Sequence, residues 1–154
     1  MEKKDWILLL VPIVCNGLIV YFVQRFFDKK KEKDNLIRDI KMNYYTALRT
    51  KIDDALSLHS DLCHMSNSAD CNNNELLIKI RGYTDSAHCV YDYYRANFKV
   101  FKSFEEEAEE LSELMFGLSK RQNEINLQEL STYLNEIRDV LSKMKDKCIN
   151  LNSI

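Results

Sequence analysis

The chain has 154 residues and a formal net charge of −2, with 22 Lys and Arg against 24 Asp and Glu, so it offers no broad basic surface for nucleic acid. Three Gly and one Pro in the whole sequence are too few chain breakers for a turn-rich β fold. Five Cys without framework spacing exclude a disulfide-stapled secreted domain, and an all-α chain is the class that remains.

The first element is WILLLVPIVCNGLIVYFVQRFF, Trp6 to Phe27. Up to Val23 its only ionisable groups are the weakly acidic Cys15 and Tyr21. At roughly 1.5 Å per helical residue the run covers most of a bilayer core of about 30 Å, and it reads as a single transmembrane helix, with residues 1–27 as an N-terminal anchor and 28–154 as the body. It is longer than a usual signal-peptide core and no small-x-small cleavage site follows it. Lys3 and Lys4 are offset by Glu2 and Asp5, whereas Arg25, Lys29, Lys30, Lys31 and Lys33 follow the run. The positive-inside bias therefore predicts an inner-membrane protein with a cytoplasmic C-terminal body. Trp6 and Tyr21 would anchor at the interfaces, and the basic flank would touch anionic lipid. Pro12, Asn16 and Gly17 are unusual in a helix that faces only lipid, whereas packed helices bond Asn across their interface and approach closely at Gly. Gln24 falls on the same side as Asn16. These three residues, Asn16, Gly17 and Gln24, predict self-association, around a polar lumen in the strongest form.

From Asp28 the helix is expected to continue, because Ile37, Ile40, Tyr44, Leu48, Ile52, Ala55, Leu58 and Leu62 recur at three- and four-residue steps, the stripe of a core-facing helix that ends near His64. Ser66 to Asn74, SNSADCNNN, has turn chemistry and predicts a surface loop with Asn74 as the next cap. A second helix follows with Leu77, Ile80, Thr84, Ala87, Val90 or Tyr91, Tyr94 and Phe98 inward and Gly82 within it. Ser103 with Glu106 forms a capping-box pattern, and the acidic run Glu105 to Glu110 suits the positive end of a third helix. Its inner face is Ala108, Leu111, Leu114, Met115 and Leu118. Asn126 with Glu129 opens a fourth helix through Leu127, Leu130, Leu134, Ile137, Leu141, Met144 and Cys148, with Lys143, Lys145 and Lys147 near its negative end. An antiparallel helical bundle is the economical packing.

Chemical signatures are few. There is no Gly-rich phosphate loop, GxSxG or HExxH, and no cofactor is called for. His59 and Cys63 stand at i and i+4, with His64 and Cys71 nearby, but the spacing fits no familiar zinc pattern, and no metal is expected. Arg81 and His88 lie seven residues apart, within about twenty degrees around a helix axis, with Asp85 between them. An Arg to hold phosphate, a His to move protons and a carboxylate to orient one of them would suit cleavage of RNA through the 2′-hydroxyl. The same residues also make an ordinary solvent-facing helix surface.

Arg81, the six residues GYTDSA and His88, set on a helix of a small all-α bundle, resemble the Arg-x(4 to 6)-His signature of the HEPN superfamily of ribonucleases and nuclease-like domains. With the N-terminal apolar run, the layout is similar to the small membrane accessory proteins of type VI-B CRISPR loci, whose effector is an RNA-guided ribonuclease. The resemblance implies an oligomeric membrane protein that strengthens antiphage defence by opening a pore, with itself, the lipid bilayer and the effector or its RNA products as partners. Active HEPN members commonly carry a polar residue after the Arg, where this chain has Gly82, so the reading leans away from an enzyme. A membrane-tethered HEPN ribonuclease, with a composite Arg81 and His88 site between two bundles, is the alternative. A non-enzymatic scaffold that uses the acidic third helix is the third reading.

Overall fold

The computed structural model describes the backbone of residues 3–66, 73–121 and 127–151, and the side chains of 18–65, 74–120 and 128–150. The described residues form four α-helices and no strand: α1 Lys3–Ser66, α2 Asn73–Ala96, α3 Glu105–Arg121 and α4 Leu127–Leu151, with a 3₁₀ turn Lys102–Phe104 before α3. The chain divides into two compact units, Met1–Lys41 and Met42–Ile154.

The second unit is a helical bundle. Leu48, Ile52, Ala55 and Leu62 of α1, Tyr83, Ala87, Val90 and Tyr94 of α2, Ala108, Leu111, Met115 and Leu118 of α3, and Ile137, Val140, Leu141, Met144 and Cys148 of α4 are buried in one core. Neighbouring helices run antiparallel, because partner numbers fall as the others rise. Tyr45 faces Val100, Lys51 lies over Tyr93, and His59 meets Tyr83. Across α3 and α4, Glu107 meets Lys147 and Glu110 meets Lys143, while Gly117 meets Tyr133.

The membrane anchor and the inner-membrane placement are corrected. Among the described residues no helix is long and apolar enough to cross a membrane. The apolar run is the start of a 64-residue helix rather than a segment of its own. Gln24 and Arg25 follow directly on Val23, and the helix runs on without a break through the charged residues Asp28 to Asp34. The cytoplasmic orientation rested on that span and falls with it. Tyr21, read as an interfacial anchor, accepts a hydrogen bond from Arg25 Nη1 at 2.9 Å. Trp6, Pro12, Asn16 and Gly17 lie outside the residues whose side chains are described.

Packing also departs from the expected stripes. Ile37 and Ile40 are exposed, and the buried face of α1 starts near Tyr44 and Leu48. The reason is length, since α2 and α4 have 24 and 25 residues and can cover only about as many residues of α1. On α2 the inward face is Leu76, Ile80, Tyr83, Ala87, Val90 and Tyr94, so Leu77, 62% exposed, and Phe98 face outward. Tyr83 can replace Thr84 inside because its hydroxyl donates to the Leu134 carbonyl at 3.3 Å and is not left unpaired.

The Ser103 and Glu106 capping box does not form. Phe101 and Phe104 enter the core, a 3₁₀ turn closed by Phe104 N–H to the Phe101 carbonyl at 2.8 Å links them, and α3 starts at Glu105. Two buried aromatic rings three residues apart outweigh a cap worth about 1 kcal/mol. The Asn126 and Glu129 box falls partly outside the described residues, as does most of the expected loop from Ser66 to Asn74.

Replacing Tyr83 by Ala is expected to lower unfolding free energy by roughly 3 kcal/mol or more, whereas Leu77→Ala stays within about 0.5 kcal/mol. Urea denaturation of both variants measures which face of α2 is buried.

Candidate functional site

The Arg81, Asp85 and His88 set lies on the outward face of α2, and all three side chains are exposed. The helix brings them onto one side but not into contact. Among the described residues none of the three has a side-chain hydrogen bond or ion pair, and the nearby Thr84 hydroxyl donates to the Arg81 carbonyl at 2.9 Å. Gly82 beside them leaves open space where a Cβ would stand, with no side chain within 4 Å among the described residues. Gln24 is exposed on α1.

Of the acidic run, Glu105, Glu106 and Glu109 are exposed, but Glu107 is buried. Its Oε1 pairs with Lys147 Nζ while Oε2 has no hydrogen-bond partner. Lys147 also donates to the Ser103 carbonyl at 3.0 Å and lies over the Phe104 ring at 5.9 Å. Lys143 reaches Glu110 at 3.2 Å and Lys145 reaches Asp53 at 2.6 Å. The three lysines expected to serve the α4 dipole therefore tie α4 to α3 and α1.

Between α3 and α4 an open groove of about 460 Å³ is lined by Glu110, Glu113, Leu114, Gly117, Glu129, Thr132, Tyr133 and Glu136. Gly117 admits the Tyr133 ring, which would stand 3.3 Å from any Cβ there. No group of three or more His, Cys, Asp or Glu among the described residues is placed to hold a metal ion.

The polar cluster with chemical character is elsewhere. His59 of α1 is buried, its ring edge-on to Tyr83 at 5.3 Å between centroids. Its Nδ1 stands 3.7 Å from Cys63 Sγ, and it shares a side-chain hydrogen bond with Asn135 of α4. Burial first, and the Arg138 guanidinium second, hold the imidazole below its ordinary value of 6.5, against the Asn135 bond and Asp139, which raise it. Burial likewise pushes the Tyr83 hydroxyl up. The i, i+4 spacing of His59 and Cys63 is visible in the sequence, but Asn135 and Arg138 come from a helix more than seventy positions away, and no local pattern signals them.

No protein-family model matches the chain, and neither a curated protein nor a solved structure does.

As pH falls below 6.5, the unfolded chain takes up the His59 proton before the folded one does, so this residue removes stability on the acid side and adds no slope above 6.5. Replacing His59 by Gln should flatten the stability curve below pH 6.5, as measured by urea denaturation in a pH series.

Proposed function

We propose that this chain is a non-enzymatic scaffold that self-associates through the exposed apolar part of α1 and presents its helical bundle to a partner. One observation supports this reading before any other. Leu18, Ile19, Val20, Tyr21, Phe22 and Val23, with Phe26 and Phe27, are all about half exposed or more, Phe22 at 65% and Phe26 at 68%.

An apolar side chain gains roughly 1.5–3 kcal/mol on full burial, so a consecutive set of this size on one helix calls for a covering surface. A second copy supplies one, because the same stretch is present on every chain and is self-complementary in its apolar character. The residues that follow, Asp28 to Asp34, carry four Lys and three acidic side chains, and this mixture of signs lets paired helices place opposite charges beside each other. Leu36, Ile37 and Ile40 continue the exposed apolar surface beyond it.

A non-enzymatic role accords with Arg81, Asp85 and His88, which are exposed and unpaired on α2. On the resemblance that Arg81 and His88 carry, the setting of the scaffold is RNA-guided antiphage defence, and the face that they occupy is a contact for the effector or its RNA.

In light scattering after size exclusion, the protein should run at an integral multiple of 18.2 kDa. The double variant Phe22→Ser, Phe26→Ser should shift towards the single-chain mass with the far-ultraviolet helix signal of the bundle retained. A wild-type protein at the single-chain mass, or one that cleaves RNA in a His88-dependent way, would contradict the reading.

A further inference from the structure

The geometry points to the groove between α3 and α4 as a docking site for a partner protein's basic amphipathic helix, one whose apolar stripe is flanked by Lys or Arg. Glu110, Glu113 and Gly117 of α3 line it at three- and four-residue steps, as do Glu129, Thr132 and Glu136 of α4, so each wall is one helix face about two turns long. Carboxylates stand on both walls. Leu114 and Tyr133, which also line the groove, are partly buried against the core, and Gly117, where a Cβ would stand 3.3 Å from the Tyr133 ring, lets that ring lie close to α3. The floor is therefore apolar.

The bundle does not answer this charge itself. No Lys or Arg lines the groove, and although Glu110 reaches Lys143 at 3.2 Å, the exposed Glu113 and Glu136 have no ion pair among the described residues. The whole unit Met42–Ile154 is acidic, with 13 Lys and Arg against 18 Asp and Glu. Such a surface repels phosphate backbones, and no three of its acidic groups among the described residues are placed to hold a metal ion, which leaves cations spread along a peptide as the match. A helix meets these conditions, because apolar side chains at i, i+3 and i+4 can lie on Leu114 and Tyr133 while Lys or Arg on either side reach the two walls. The cleft of about 460 Å³ has room for such a stripe, since occupied clefts run from roughly 300 to 1,000 Å³. This names the class of partner to which the scaffold presents its bundle, and rests on that reading only for there being a partner.

Fluorescence anisotropy with the full chain and synthetic peptides of about four helical turns tests the assignment. The first peptide carries Leu at i, i+3, i+4 and i+7 with Lys on both flanks, and the second has Glu in place of every Lys. The third is this chain's own residues 22–36, whose lysines are interrupted by Asp28, Glu32 and Asp34. The wild type should bind the Lys peptide about tenfold more tightly than either of the others, and more weakly as salt is raised. Glu113→Gln with Glu136→Gln should weaken that binding about fivefold. Thr132→Arg, which adds bulk and positive charge to one wall at an exposed position, should weaken it further, with the urea transition of the bundle unchanged in both variants. Both should keep the wild-type mass in light scattering, and Phe22→Ser, Phe26→Ser should keep the wild-type peptide affinity, so loss of docking and loss of self-association read separately. No binding of the Lys peptide, equal binding of the Lys and Glu peptides, binding that survives in both groove variants, or tighter binding of residues 22–36 would overturn the proposal.

Discussion

A helix of 64 residues in a chain whose other helices have 24, 17 and 25 residues imposes a length constraint that shapes everything else. Helices within proteins draw most of their stability from tertiary packing of an apolar face. The residues of α1 from Tyr44 to Leu62 find that packing in the bundle core. Leu18 to Phe27, with Leu36, Ile37 and Ile40, keep their apolar side chains exposed. The same sequence property, an apolar surface on a continuous helix, is thus satisfied within the chain in one part and left exposed in the other, where we propose that a second copy covers it.

Within the bundle, polar side chains fix the register that apolar packing alone leaves loose. Lys147 is the most heavily used of them. It neutralises the buried Glu107, takes the Ser103 carbonyl and covers Phe104, so the 3₁₀ turn that carries Phe101 and Phe104 into the core is held from α4. A buried carboxylate left without that ammonium would cost several kcal/mol. Across the other side of the bundle, the Tyr83 hydroxyl on the Leu134 carbonyl and the His59 contact with Asn135 connect α1, α2 and α4. These are the places where α4 reads the helices around it, and they also create the only buried imidazole among the described residues.

The helical segments were legible in the sequence because three- and four-residue spacing of apolar side chains is strong over long stretches. The inner faces of α3 and α4 follow that spacing closely, from Ala108 to Leu118 and from Ile137 to Cys148. On α2 two stripes one residue apart fit the period equally well, and the choice between Thr84 and Tyr83 depended on a carbonyl of α4 that no local pattern contains. Ile37 and Ile40 fit the α1 stripe but not the length of its neighbours. Trp6 to Phe27 had the composition of a span, yet it is part of one helix of 64 residues with charge from Arg25 onward, and no helix among the described residues is long and apolar enough to cross a membrane. Of the candidate site, Arg81, Asp85 and His88 were placed on one helix side by counting alone. Their exposure and lack of partners, and the His59 arrangement with Asn135, depend on contacts between helices distant in sequence.

The account depends on α1 meeting another α1. A photo-crosslinking side chain placed at Phe26 in the full chain tests this directly, because it reports which residues lie against that position. Joining to residues 18–40 of a second copy, with a species of twice the single-chain mass, is the predicted result. Crosslinks confined to a single chain, or none at any protein concentration, would contradict it.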